Sequence, residues 1–243
     1  MQVARSAKDV LSFYEKYAPT WDDRFKERPS TLDFHRIRLE SFLKLANLKN
    51  DDCIIEIGVG TGPYLDMISP LVRKVICVDG SEQMLNVLME KHQSLSNIEL
   101  AKINLEEPLK KGEFKAELVY GFGVIEHIIE TNIFLENCRN MLKPGGRIIF
   151  VTVNGKSPWF KGIRRYWRSG PHCSTDRYYT AKQLHDLMSK HSFVLEKVSY
   201  WGYFPAGINN VGHRSLKALG NVLGKTWMKY YSGGLTVSYI DAR

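Results

Sequence analysis

Residues 51–154 specify an α/β protein with a doubly wound parallel sheet, on three grounds. Runs of strand length and β-branched character recur at CIIEIG (53–58), VICVDG (75–80), IELAKIN (98–104), ELVYGFG (117–123) and RIIFVTV (147–153). Segments of helical period separate most of them, at 62–70, 81–93 and 129–142. Glycine and proline punctuate the joins, as alternating βαβ units require.

Ahead of the sheet, residues 8–18 and 31–47 place apolar side chains at helical spacing, the second through Ile37, Phe42, Leu43 and Leu45, and predict a helical amino-terminal cap. Leu142-Lys-Pro-Gly-Gly146 ends the helix before the fifth strand, because Pro144 and the glycines cannot continue it. Beyond residue 153 comes a basic stretch, then a helix at 180–190 introduced by Thr180, a strand at 193–200 and a final strand at 235–240. Between those strands, Leu216, Leu219, Leu223 and Trp227 fall on one helical face, with Lys217, Lys225 and Lys229 elsewhere, which predicts an amphipathic helix packed on the core. No internal repeat appears. One domain over 1–243 is expected, with a cap at 1–50, a core at 51–154, a lid at 155–180 and an insertion at 204–233.

Composition agrees with a globular chain: 243 residues, 44% hydrophobic and 25% charged. No apolar run approaches the roughly 18 to 20 residues that span a bilayer, and MQVARSAKDV is polar, so a soluble, cytoplasmic protein is expected. Cys53, Cys77, Cys138 and Cys173 are far apart, without the paired spacing of a zinc site, and core packing is expected for those in strands. Charge is uneven. Residues 1–150 carry 20 basic and 22 acidic side chains, residues 151–243 carry 14 and 4, so the whole positive excess lies in the last third.

That excess is densest at 156–168, where Lys156, Lys161, Arg164, Arg165 and Arg168 interleave with Trp159, Phe160, Tyr166 and Trp167. Cations beside aromatics suit a lid over an anionic or aromatic small molecule, and they also suit peripheral contact with a membrane headgroup layer. Nucleic acid is not expected, since no recognition motif accompanies the charge.

The sharpest signal is Glu56-Ile-Gly58-Val-Gly60-Thr-Gly62, at the end of the first strand and the start of a helix. Glycines there permit a tight turn and a close ligand approach. The spacing is G-x-G-x-G rather than the dinucleotide G-x-G-x-x-G, and an acid precedes it, which suits an ammonium better than a pyrophosphate. Asp79, seventeen residues beyond Gly62 and followed by Gly80, stands at the tip of the second strand, where a carboxylate can accept from both hydroxyls of a ribose. A nicotinamide-dependent oxidoreductase is the competing reading on such a sheet, and the glycine spacing and Glu56 count against it.

In this order, EIGVGTG, ICVDGS, ELVYGFGVIEH and LKPGGRIIFVTVN resemble the class I S-adenosylmethionine-dependent methyltransferase family. The resemblance implies a Rossmann-like seven-stranded sheet whose last strand runs antiparallel between strands five and six. It also implies S-adenosyl-L-methionine as cofactor: Gly58, Gly60 and Gly62 beneath its methionine part, Glu56 setting the polarity there, Asp79 with Gly80 at the ribose, and Asn104 or the amide of Leu105 at the adenine. Within the family the layout is similar to ubiquinone-biosynthesis O-methyltransferases, in Arg38-Leu39, Ile125-Glu126-His127 and Thr152-Val153-Asn154. That match implies Arg38 at the cofactor carboxylate and Phe122 against the cofactor. Members that bind a divalent metal carry a glutamate where this chain has Gly123, so no metal is expected.

Methyl transfer from a sulfonium is one in-line displacement, and a base matters only where the acceptor must lose a proton. His127 is the candidate catalytic base, with Glu126 orienting it or acting instead; alternatively His127 caps the next helix and Glu126 faces solvent. The expected acceptor is a small molecule, methylated at oxygen or nitrogen. A non-catalytic protein that keeps the cofactor site stays open, as does a homodimer through the 204–233 insertion.

Overall fold

The computed structural model describes residues 6–25, 29–109, 112, 114–159, 177–203 and 210–243. Helices α1 (Ala7–Tyr17) and α2 (Pro29–Ala46) precede β1 (Cys53–Ile57), α3 (Leu65–Ile68), β2 (Lys74–Asp79), α4 (Glu82–Lys91), β3 (Ile98–Lys102) and β4 (Ala116–Phe122). Then come α5 (Thr131–Asn140), β5 (Leu142–Val153), α6 (Ala181–Ser189), β6 (Phe193–Trp201), α7 (Asn210–Leu223) and β7 (Gly234–Asp241). The seven strands lie in the order β3-β2-β1-β4-β5-β7-β6. The first five pair in parallel, and β7 runs antiparallel to both β5 and β6. Between β1 and β4 the strand order reverses, which opens a crevice at the carboxyl ends of the strands.

Alternation along the strands divides the core. Ile54, Val75, Cys77, Tyr120, Ile149 and Val151 pack against Phe42 and Leu45 of α2 and Leu85 and Leu88 of α4. Ile55, Ile57, Val119, Ile148, Phe150 and Val237 face the other way, against Phe134 and Leu135 of α5 and Leu184 of α6. Both faces of the sheet are therefore dry, and burying each such side chain contributes about 1.5 to 3 kcal/mol. Side chains also start the helices. Ser6 with Asp9, and Thr180 with Gln183, form reciprocal capping boxes, and Ser81 accepts from the Met84 N–H at 3.1 Å. Cys53, Cys77 and Cys138 are free and buried; Cys173 lies outside the described residues.

Three expectations shift. The helix at 62–70 contracts to Leu65–Ile68 followed by a tight turn over Ser69–Leu71, because Pro70 has no N–H to continue the ladder. The Pro-Gly-Gly turn is absorbed into β5: Ala116 pairs with Leu142 and Leu118 already with Arg147, so the residues between bulge out. The apolar stripe of α7 is split. Leu216 and Leu223 turn inward, whereas Leu219 is 50% and Trp227 is 68% exposed. Most of the basic aromatic stretch at 156–168 lies outside the described residues, as does the 204–209 part of the insertion. Among the described residues no helix is long and apolar enough to cross a membrane.

Candidate functional site

At the end of β1 the chain turns through Gly58, Gly60 and Gly62, each at positive φ (60°, 58° and 67°). Other residues enter that region only under strain. The loop is then fixed from the next strand: the Gly60 N–H donates to Asp79 Oδ2 at 2.8 Å, and the Ser81 N–H donates to Asp79 Oδ1 at 2.8 Å. Burial raises the Asp79 carboxyl above its ordinary range, opposed by the amides of Ser81 and Gly60. Each oxygen has spent one acceptor position of about two. The unused pair is what a vicinal diol needs.

Beneath the loop sits Glu56, 1% exposed, whose Oε2 accepts from the Tyr120 hydroxyl at 2.9 Å. Burial pushes its carboxyl from 4.5 up to about 8, against the Tyr120 hydrogen bond and the Arg38 charge, which pull it down. Among the described residues no ion pair reaches it. It is a buried acid with no ion-pair partner among the described residues, one residue before the end of β1.

Helix α2 supplies the facing wall. Its Arg38 Nη2 donates to the Val151 carbonyl at 3.3 Å, and the guanidinium lies 5.4 Å from the Phe122 ring centroid. Phe122 also packs on Tyr64, ring centroids 4.3 Å apart, and Tyr64 hydroxyl and His35 Nδ1 share a 2.6 Å hydrogen bond. Burial, then the Arg38 charge, pushes His35 down to about 4, so the imidazole is neutral at ordinary pH. Gly123 has φ +67°, and a Cβ there would stand 2.6 Å from Arg38 Nη2. Any side chain at 123 has to displace the Arg38 guanidinium.

Beyond Gly123, Ile125–His127 form one tight turn. Glu126 does not face solvent: it is 4% exposed, Oε1 accepts from the Val153 N–H at 3.3 Å, and Oε2 is buried without a partner among the described residues. His127 is partly buried, its ring edge-on to Tyr14 at 5.5 Å. On the other flank, Asn104 closes its own turn, donating to Glu107 Oε1 at 2.8 Å and accepting from the Glu106 N–H at 3.1 Å. Leu105 is buried beside it. The structure thus brings Arg38, Glu56, the glycine loop, Asp79, Phe122 and Glu126 around one crevice, and it commits the Asn104 amide locally.

A family model described as a methyltransferase domain matches residues 30–198. The chain belongs to that family. Among curated relatives of this methyltransferase domain, the malonyl-[acyl-carrier protein] O-methyltransferase of a Marinomonas species is 28% identical over 160 residues, 62% of this chain and 58% of its own. The ubiquinone biosynthesis O-methyltransferase of Bradyrhizobium diazoefficiens is 29% identical over 161 residues, 61% of this chain and 62% of its own. The chain thus spans about three-fifths of the length of these relatives. The solved structure of the N-methyltransferase NodS from Bradyrhizobium japonicum, in complex with S-adenosyl-L-homocysteine, superposes with a TM-score of 0.66 at 13% identity, covering 96% of this chain and 99% of that one.

The methyltransferase domain also uses residues that sequence patterns did not single out. Glu15 of α1 accepts from the Glu82 and Gln83 N–H groups at 2.8 and 3.2 Å, capping α4 from another element. Asp22 accepts from Thr61 Oγ1 at 2.5 Å and from Lys91 Nζ at 2.6 Å, tying the segment after α1 to the glycine loop. Leu11 covers Gly80, where a Cβ would stand 2.5 Å from Leu11 Cδ2. Below the loop, the His92 ring, 2% exposed, shares a 2.9 Å hydrogen bond with Asp66 and turns Nε2 toward Gly62.

Proposed function

We propose that this chain is an S-adenosylmethionine-dependent methyltransferase that methylates a small molecule, at oxygen first and nitrogen second. The observation that carries the reading is the buried, unneutralised Glu56 beneath a left-handed glycine turn that is tied to Asp79. That donor set fits the cofactor: a cationic amine relieves Glu56, and a ribose diol uses the free acceptor positions of Asp79. When bound, S-adenosylmethionine supplies an electrophilic methyl on a sulfonium. Glu56 holds the ammonium, Arg38 the carboxylate, the turn at Gly58, Gly60 and Gly62 gives the backbone room, Asp79 with Gly80 holds the ribose, and Phe122 packs alongside. The Leu105 amide is the adenine contact, since Asn104 is engaged in its own turn. Leu11 and Tyr14 of α1 exclude water from the rim.

His127 takes the acceptor's proton, and Glu126, buried with one oxygen unpartnered among the described residues, orients acceptor or base. Oxygen is placed first because both curated relatives named above are O-methyltransferases. Equilibrium binding tests the cofactor: the protein binds S-adenosylhomocysteine and not NAD, and preference for NAD refutes the reading. Turnover with catechols, phenols and amines then tests transfer. Binding without turnover on any of them leaves a protein that holds the cofactor and does not transfer.

A further inference from the structure

Helix α7 and the turn after it leave an apolar face uncovered. On one side of α7, Leu216, Gly220 and Leu223 face inward, and Lys217 pairs with Asp33 of α2 at 2.5 Å, so the helix is anchored. On the other side stand Arg214, Leu219 (50% exposed) and Val222 (62%), and the face continues through Lys225, Trp227 (68%), Lys229 and Tyr231 (44%). The Trp227 and Tyr231 rings pack edge-on at 6.0 Å, which holds the indole outward instead of letting it fold onto the core. Val222 and Trp227 are the most exposed large apolar side chains among the described residues.

Charge decides what covers this face. From Lys197 to Ile240 the sequence contains no acidic residue. Arg214, Lys225 and Lys229 form no ion pair among the described residues, and Asp33, the acid that anchors α7, is already held by Arg36 and Lys217. A second copy of this chain docking by the same face sets these cations against one another in a two-fold interface, which disfavours it. An anionic lipid surface reverses that sign: phosphates meet the three cations, while Trp227, Tyr231, Leu219 and Val222 enter the acyl boundary. Aromatic rings with a polar edge are suited to that depth.

We propose that this face docks peripherally on an anionic lipid bilayer. It lies beside the crevice. Asn154, which follows β5 at the carboxyl edge of the sheet, donates through Nδ2 to the Tyr230 and Ser232 carbonyls at 3.0 and 3.1 Å, and α2 carries both Asp33 and Arg38. Docking there brings the mouth of the site to the bilayer, within reach of an amphiphilic molecule dissolved in it. The inference does not rest on the proposed methyl transfer, because its readout is binding alone.

The experiment is co-sedimentation of the whole chain with vesicles of phosphatidylcholine, alone or mixed equally with phosphatidylglycerol, at two salt concentrations. The protein pellets with the mixed vesicles, far less with phosphatidylcholine alone, and less at high salt. Lys225→Gln and Lys229→Gln each weaken partitioning by about fivefold. Trp227→Ser with Val222→Ser abolishes it, and since both side chains are exposed, the melting temperature stays put. Equal pelleting with and without phosphatidylglycerol, or unaltered binding by all these variants, overturns the proposal. So does a concentration-dependent doubling of mass, without vesicles, that Trp227→Ser removes, because the occupant is then a second copy.

Discussion

Glu56→Gln separates the stability of the fold from the function of the site. In the unliganded protein the Glu56 carboxyl is raised from 4.5 to about 8 by burial. Between those values the folded state holds a proton that the unfolded chain has released, so stability is fullest at acid pH and falls as pH rises. The span is about 3.5 units, and at about 1.4 kcal/mol each it reaches roughly 5 kcal/mol at pH 8, an upper limit. Glutamine keeps an acceptor for the Tyr120 hydroxyl and carries no charge. Urea unfolding of both proteins from pH 6.5 to 8 is therefore expected to show wild type losing stability with pH and the variant holding steady, more stable than wild type at pH 8. S-adenosylhomocysteine binding moves the other way. The variant binds far more weakly, and wild type releases a proton on binding below pH 8, seen as a buffer-dependent heat. Parallel stability profiles for the two proteins, or cofactor binding retained by the variant, refute the reasoning.

Asp79→Ala leaves the Gly60 and Ser81 amides without their acceptor, and cofactor affinity by titration calorimetry drops at least about thirtyfold, the equivalent of one or two charge-assisted hydrogen bonds. His127→Ala leaves that affinity intact and slows transfer by about a hundredfold or more in single-turnover assays; unchanged turnover removes His127 from the mechanism. Gly123→Ala meets a left-handed φ and the Arg38 guanidinium together, so thermal unfolding shows a loss of about 1 to 2 kcal/mol, and cofactor affinity falls with it. His35, pushed down from 6.5 to about 4, contributes stability that is full above pH 6.5 and lost as pH falls toward 4. His35→Gln flattens that acid limb in melting temperatures, and an unchanged limb refutes it.

The parts of the site legible in the sequence are those the backbone itself demands. A loop with three positive φ values in five residues strongly favours glycine at each, the acid two residues earlier lies on the strand, and Asp79 follows at the tip of its neighbour, so order and spacing locate all three. Pairings between distant elements leave no such mark. Tyr120 reaches Glu56 across 64 residues and Asp22 reaches Thr61 across 39, and neither side chain looks exceptional in its own segment. Periodicity found α7 but not its surroundings. It identifies which residues share a face, not whether another element covers them, and so Leu219 and Trp227 were placed in a core from which they are absent.

Because β7 lies between β5 and β6, β6 is joined to the rest of the sheet only by a strand that follows it in the chain. Until Gly234–Asp241 emerges, a nascent chain holds β6 with no neighbour, and Ile149, Phe150 and Val151 of β5 line an open, sticky margin. The insertion that precedes β7, in contrast, is clamped at either end by finished pairing, and so it can drift in length and surface chemistry while the sheet stays whole.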